Sequence, residues 1–376
     1  MTGARALKVV IIDDQPVIRQ ALVRLLRPES DIEIVGQAGD GEEGLKVVHA
    51  TQPDVITLDL EMPKLDGFAF LRLLMAKQPR PVVIVSSHAT RESVFRALEL
   101  GAVEFVAKPS RIASEADLQP VREDLLRKLR TVTKLSIRGV AERMRLQGQG
   151  LRLRSHSSED LLSGLRLPLE PPLAPRYLLC IGASTGGPPA IATLLQTLHT
   201  RLPISVLITQ HMPSKFTAAF VDRLRRTTPW PVREADPDLP VSPGEVLVAP
   251  AHHSLCVYRD GAVIGVRHSH EIVESKGGYV PSIDVMFGAA AETMGSHVVG
   301  VILSGMSGDG VHGVQAVHKA GGRVLVESPQ SAVMASMPEE AIATGAVSDV
   351  APLPKLASLI IRHVLSRQNI VADGSK

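Results

Sequence analysis

The chain has 376 residues, which favours two domains over one. Apolar residues are 44%, charged residues 21% and net charge +2, an ordinary globular balance with no strong field for nucleic acid or an acidic membrane surface. Aromatics at 3% leave little for base stacking, and Cys180 and Cys256 lie in apolar runs that predict buried thiols rather than disulfides or a metal site.

From residue 8 to about 130, apolar runs alternate with amphipathic stretches. Residues 9–12, 32–35, 55–60, 82–85 and 105–107 read as five buried strands. Residues 17–26, 44–50, 68–77, 92–100 and 118–129 read as helices between and after them. Strands that alternate with helices predict a parallel sheet covered on both faces.

The regular pattern then decays. Residues 132–175 carry Arg138, Arg143, Arg145, Arg152 and Arg154 and close on four prolines, which predicts a solvated tether. Regularity returns with expected strands at 178–181, 206–209, 246–249, 298–303 and 324–326. Helices are expected at 188–198, 217–226, 285–294 and 310–320. Asp260-Gly261 marks a hairpin between 255–258 and 263–266. The fold class is therefore α/β throughout: a doubly wound five-stranded half, then a second doubly wound half with a small antiparallel hairpin. The expected divisions are 1–131, a linker at 132–175, and 176–370. No apolar run approaches the ~20 residues that span a bilayer, and no apolar signal core opens the chain, so a cytoplasmic protein without membrane insertion is expected.

Two clusters of residues carry chemistry. In the first half, Asp13 and Asp14 end the first strand, Asp59 ends the third, Ser86 ends the fourth and Lys108 follows the fifth. All lie at the carboxyl edge of a parallel sheet, where sites form. Three converging carboxylates repel unless a cation sits among them, and oxygen-only ligands suit Mg²⁺. Lys108 can pair with an added phosphate, and Ser86 can donate a hydroxyl to it.

In the second half, Gly182-Ala183-Ser184-Thr185-Gly186-Gly187 links a strand to a helix and presents a serine at the helix amino terminus. His211, in Gln210-His211-Met212-Pro213, follows the next strand and can act as the base for Ser184. Asp309 follows a later strand and can orient the imidazole; its other reading is the N-cap of the helix expected at 310–320. Asp284 is the competing acid and ranks second, because it precedes a helix rather than ending a strand.

These motifs resemble a known family. The first half, by Asp13-Asp14, Asp59 with Met62-Pro63 and Asp66-Gly67, Ser86 and Lys108-Pro109, is similar to the receiver domain of bacterial response regulators. The resemblance implies a flavodoxin-like fold, phosphorylation at Asp59, and Mg²⁺ held by Asp13, Asp14 and Asp59. It also implies switch roles for Ser86, Phe105 and Lys108. The second half, by 182–187, 210–213, 281–287 and 305–310, resembles the methylesterase domain of the chemotaxis protein-glutamate methylesterase family. That implies Ser184 as nucleophile, His211 as base, Asp309 as orienting acid, and Thr185 and Met306 beside the site.

The implied protein is a phosphorylation-activated esterase that cleaves glutamyl methyl esters on chemoreceptors and deamidates receptor glutamines, without a cofactor for the ester reaction. A chemotaxis histidine kinase is its implied phosphodonor. The alternative is a receiver-controlled scaffold of another two-component pathway, with its esterase-like domain unused. Where the family shows an acidic, glutamine-bearing stretch, this chain reads Glu327-Ser328-Pro329-Gln330-Ser331.

Overall fold

The computed structural model describes residues 5–86, 91–108, 119–132, 135, 139–143, 175–198, 200, 202–269 and 278–366. The chain forms two compact units that divide between residues 144 and 145.

In the first unit β1 (Leu7–Ile12), α1 (Pro16–Leu26), β2 (Ile32–Ala38), α2 (Gly41–Thr51), β3 (Val55–Leu58), α3 (Gly67–Lys77), β4 (Val82–Ser86), α4 (Arg91–Glu99), β5 (Glu104–Ala107) and α5 (Gln119–Val132) alternate along the chain. The sheet order is β2-β1-β3-β4-β5, with every pair parallel. All residues of β3 and β4 are buried, Thr57 and Ser86 among them, so both faces of the sheet are covered, as strands rich in Val, Ile and Leu require. The order reverses between β1 and β3, and the carboxyl edge of such a switch point is where open α/β sheets form their sites.

The second unit begins with β6 (Tyr177–Ala183), α6 (Gly187–Thr197), β7 (Ile204–Gln210), α7 (Thr217–Thr227), β8 (Val232–Glu234), β9 (Leu239–Pro240) and β10 (Val246–Val248). It continues with β11 (Ser254–Asp260), β12 (Val263–Ser269), α8 (Ile283–Met294), β13 (Val298–Ile302), α9 (Val311–Lys319), β14 (Arg323–Glu327), α10 (Ser336–Ala343), β15 (Asp349–Ala351) and α11 (Leu353–Ser366). Seven parallel strands run β15-β14-β13-β6-β7-β10-β8. The chain leaves β6 toward β7 and later returns to β13 on the other side. The switch point therefore lies at β6, whose two neighbours are β7 and β13. Every residue of these three strands is buried.

The structure adds to the expected elements and changes some. The hairpin is the larger part of a three-stranded antiparallel sheet, β11-β12-β9, because Leu239–Pro240 pairs with β12. The edge strands β8 and β15, with three residues each, and the helices α10 and α11 were not expected. Cys180 is buried, and its thiol is pushed up to about 12 by that burial, whereas Cys256 is only half-buried and departs from the expectation. Arg143, expected on a solvated tether, is buried. Most of 132–175, Pro109 and the other tether arginines lie outside the described residues.

The turn after β3 is closed by α3. Gly67 N donates to Leu60 O at 3.0 Å, and a Cβ at Gly67 would stand 2.4 Å from Asp59 O and 2.7 Å from Leu60 Cα. Both neighbours are backbone and cannot swing aside. Gly67→Ala is expected to destabilise the first unit by about 1–3 kcal/mol through overpacking. Hydrogen exchange on the full chain checks this: residues 5–86 should exchange faster in the variant while residues 178–210 keep wild-type protection.

Candidate active site and phosphoacceptor site

The carboxyl edge of the first unit gathers the predicted acids. Asp13 and Asp59 follow the adjacent strands β1 and β3, and Asp59 N donates to Ile12 O at 2.9 Å. One oxygen each from Asp13, Asp14 and Asp59 lie within 4.8 Å of one another. Lys108, itself buried, reaches Asp59 Oδ2 and approaches Asp13 Oδ2 at 2.5 Å. Asp59 Oδ1 accepts from Leu60 N at 2.7 Å, and Asp13 Oδ1 from Gln15 N at 3.0 Å. Burial pushes the Asp13 carboxyl above its ordinary range, and the charge of Asp59 adds to that, against the pull of Lys108.

These residues fit a hard divalent cation. The donor set is oxygen only, and Asp14 Oδ1 is buried without a hydrogen-bond partner. Ser86 is buried at the end of β4, and its carbonyl accepts from Lys108 N at 3.1 Å. Phe105 is buried in β5, with Lys128 Nζ 4.9 Å from its ring centroid and bonded to its carbonyl. Of these two contacts, sequence reasoning found Phe105 but not the buried Lys128.

The second unit collects three loops from three adjacent strands. Ser184 follows β6, His211 follows β7 and Asp309 lies beyond β13. Ala183 and Gln210 are register partners, and His211 N donates to Ala183 O at 3.0 Å, so the serine and histidine leave neighbouring strand ends side by side. Gln210 reinforces this. Its buried Nε2 donates to Ser184 O at 2.8 Å and to His211 O at 3.0 Å.

The serine turn is fixed from below by Ser304. Ser184 N donates to Ser304 O at 3.1 Å, and Ser304 Oγ donates to Thr185 O at 2.8 Å. Glu327, fully buried at the end of β14, accepts from Ser304 N at 2.9 Å. The stretch Glu327-Ser328-Pro329-Gln330-Ser331 thus begins with a residue tied to the serine turn. Gly186, at φ 75°, makes the sharp entry into α6 that places Ser184 just before the helix amino end. Met306 is half-buried in the loop between β13 and Asp309, next to Gly305, whose added Cβ would lie 2.9 Å from Ser184 Cβ.

Asp309 does not cap its own helix. Gly310, at φ 101°, precedes α9 with no side-chain cap. The carboxylate turns instead to the amino end of α8, where Oδ2 accepts from Ile283 N at 2.7 Å and Oδ1 from Asp284 N and Ser282 Oγ, each at 3.0 Å. His211 Nε2 donates to Oδ2 at 2.8 Å, which leaves Nδ1 as the proton-accepting nitrogen. One face of the His211 ring is stacked on Tyr279, with centroids 5.0 Å apart. Tyr279, Gln210, Ser304 and Glu327 were not singled out as site residues from the sequence. Their contacts cross from one loop to another, and only Gln210 and Glu327 stood in stretches that the sequence marked out, neither with a site role of its own.

Asp284, the second-ranked acid, points elsewhere. Its Oδ1 accepts from Gly313 N at 2.6 Å, and His312 Nδ1 stands 3.4 Å from Oδ2. Burial, with the nearby charge of Asp309, pushes its carboxyl above the ordinary range against these two contacts. A group with a raised folded-state pKa favours folding while protonated and loses that contribution as pH rises through its folded value. Asp284→Asn keeps the Oδ1 acceptor for Gly313 without the charge. Its thermal midpoint should exceed that of the wild type at neutral pH, with the gap closing as pH falls toward about 4. A gap independent of pH would count against this.

Both units match known protein families. Residues 179–360 match the CheB methylesterase family, and residues 9–116 match the response regulator receiver domain. A protein-glutamate methylesterase/protein-glutamine glutaminase of Geobacter sulfurreducens is 40% identical over 375 residues, covering 98% of this chain and 99% of its own. One from Myxococcus xanthus is 42% identical over 368 residues, covering 96% and 100%. The solved CheB methylesterase catalytic domain of Thermotoga maritima is 30% identical, covers 50% of this chain and 98% of its own, and superposes with a TM-score of 0.48.

Proposed function

This chain belongs to the CheB family of methylesterases that carry a receiver domain, and we propose that it hydrolyses glutamyl methyl esters on chemoreceptors through Ser184, His211 and Asp309. Deamidation of receptor glutamines is its second reaction by the same path. The observation that carries this reading is the His211–Asp309 bond of 2.8 Å at the strand end beside the serine turn.

Ser184 Oγ attacks the ester carbonyl carbon. As that bond forms, the hydroxyl proton passes to His211 Nδ1 and the carbonyl electron pair moves onto oxygen. The dipole of α6, whose amino end lies just beyond Ser184, favours that negative charge. When the intermediate collapses, the C–O bond to methoxide breaks and His211 returns the proton, so methanol leaves. Water then attacks the glutamyl-enzyme with His211 again as base, which releases glutamate and restores Ser184. For a glutamine side chain, the leaving group is ammonia.

The first unit regulates the second in this reading. A chemotaxis histidine kinase donates a phosphoryl group to Asp59, with Asp13, Asp14 and Asp59 holding Mg²⁺. The ion supplies positive charge against the phosphoryl oxygens. Lys108 pairs with the phosphoryl group, and the Ser86 hydroxyl donates to it. The unphosphorylated receiver restricts access to Ser184, and phosphorylation shifts the population toward an open form. No described helix is long and apolar enough to cross a membrane.

Ser184→Ala should lower methanol release from methylated receptor peptides by roughly 10³-fold or more while Asp59 is still phosphorylated. Retained release would overturn Ser184 as the nucleophile, whereas no methanol release from the wild-type chain would favour the unused-domain alternative. Deleting residues 1–175 should raise the basal rate; a fall would count against restriction by the receiver.

A further inference from the structure

His211 is held on its edge by Asp309 and covered on one face by Tyr279. The Tyr279 and His211 ring planes are only 11° apart, and the centroids are 5.0 Å apart. Tyr279 lies three residues before Ser282, on the segment that runs into α8 and supplies donors to Asp309. One loop therefore reaches the imidazole from its face and, through Asp309, from its edge.

The stacked face matters most when the imidazole is charged. A neutral ring already gains modestly from an offset-stacked aromatic neighbour. An imidazolium gains more, because the electron-rich face attracts a cation within ~6 Å of its centroid. Attack by Ser184 converts one into the other, since the hydroxyl proton moves to Nδ1 and the ring stays positive until the leaving group takes the proton. A group that interacts better with the charged ring lowers the barrier without binding substrate more tightly.

We propose that Tyr279 is a positioning residue for acyl transfer, which fixes the plane of His211 and stabilises its protonated form through the aromatic face. This rests on His211 as the general base. The ring face, not the phenolic hydroxyl, carries the effect, so phenylalanine preserves it and an aliphatic side chain does not.

The test is kcat and KM on the full chain, with a glutamyl methyl ester peptide as substrate and methanol as the readout. Tyr279→Leu is expected to lower kcat about 3- to 30-fold with KM within about twofold of wild type. Tyr279→Phe is expected to keep kcat within about twofold. Thermal midpoints are read alongside, and Tyr279→Met replaces the leucine variant if that variant does not fold.

A raised KM with unchanged kcat would make Tyr279 a substrate contact and overturn the proposal. Equal losses in the leucine and phenylalanine variants would overturn it in favour of the hydroxyl. Wild-type kcat in the leucine variant, with His211→Ala inactive, would sink this inference and leave the base intact. Wild-type kcat in His211→Ala would sink both.

Discussion

The second unit depends on how one buried carboxylate is satisfied. Asp309 accepts from Ser282 Oγ, Ile283 N, Asp284 N and His211 Nε2. Two of these donors are backbone groups at the start of α8, which lack intrahelical partners and present the positive end of the helix dipole. The anion thus closes the amino end of α8 and orients the imidazole that follows β7. Neither job could be lost alone, because removing the carboxylate would leave buried N–H groups unpaired and the ring free to turn. The three loops converge because β13, β6 and β7 are neighbours at the point where the strand order reverses.

Around this anchor, backbone rather than side chain sets the serine. Ser184 N and Thr185 O are both engaged by Ser304, and Gln210 spans the carbonyls of Ser184 and His211. A turn fixed at both its N–H and C=O groups holds its side chain in place without contacting it. Such preorganisation lowers the cost of reaching the attacking geometry. Glu327 extends the support one strand further, to Ser304 N.

Much of this was legible because buried parallel strands are unbroken apolar runs and their carboxyl ends are marked by glycine, aspartate or histidine. The sequence order of the elements placed Asp13, Asp14 and Asp59 on one edge, and the acids lie together there. What escaped had no local signal. Val232–Glu234 and Asp349–Ala351 are edge strands of three residues, too short to show a period. Asp309 reads as the acid that orients His211, and its other reading, a cap for the helix that follows it, does not form: the positive φ of Gly310 redirects the chain, and the helix it serves begins earlier in the sequence. Tyr279 reaches His211 across loops, a contact that no spacing rule encodes.

The two acids near α8 show why sequence alone left both open. Asp284 and Asp309 are close enough for the charge of one to raise the other, and the amino end of α8 can serve one carboxylate well. Asp309 takes the backbone donors of Ile283 and Asp284 and the imidazole. Asp284 is left with Gly313 N and a long approach from the exposed His312. The same repulsion is handled differently in the first unit. There Asp13 and Asp59 share the ammonium of Lys108, and Asp14 Oδ1 still lacks a partner. A helix end resolves a buried charge by selecting one carboxylate, whereas a cation resolves it by gathering several. Under the proposed function, the first arrangement gives the fixed orientation that an acid–base histidine needs, and the second gives a site that an added phosphoryl group can reorganise.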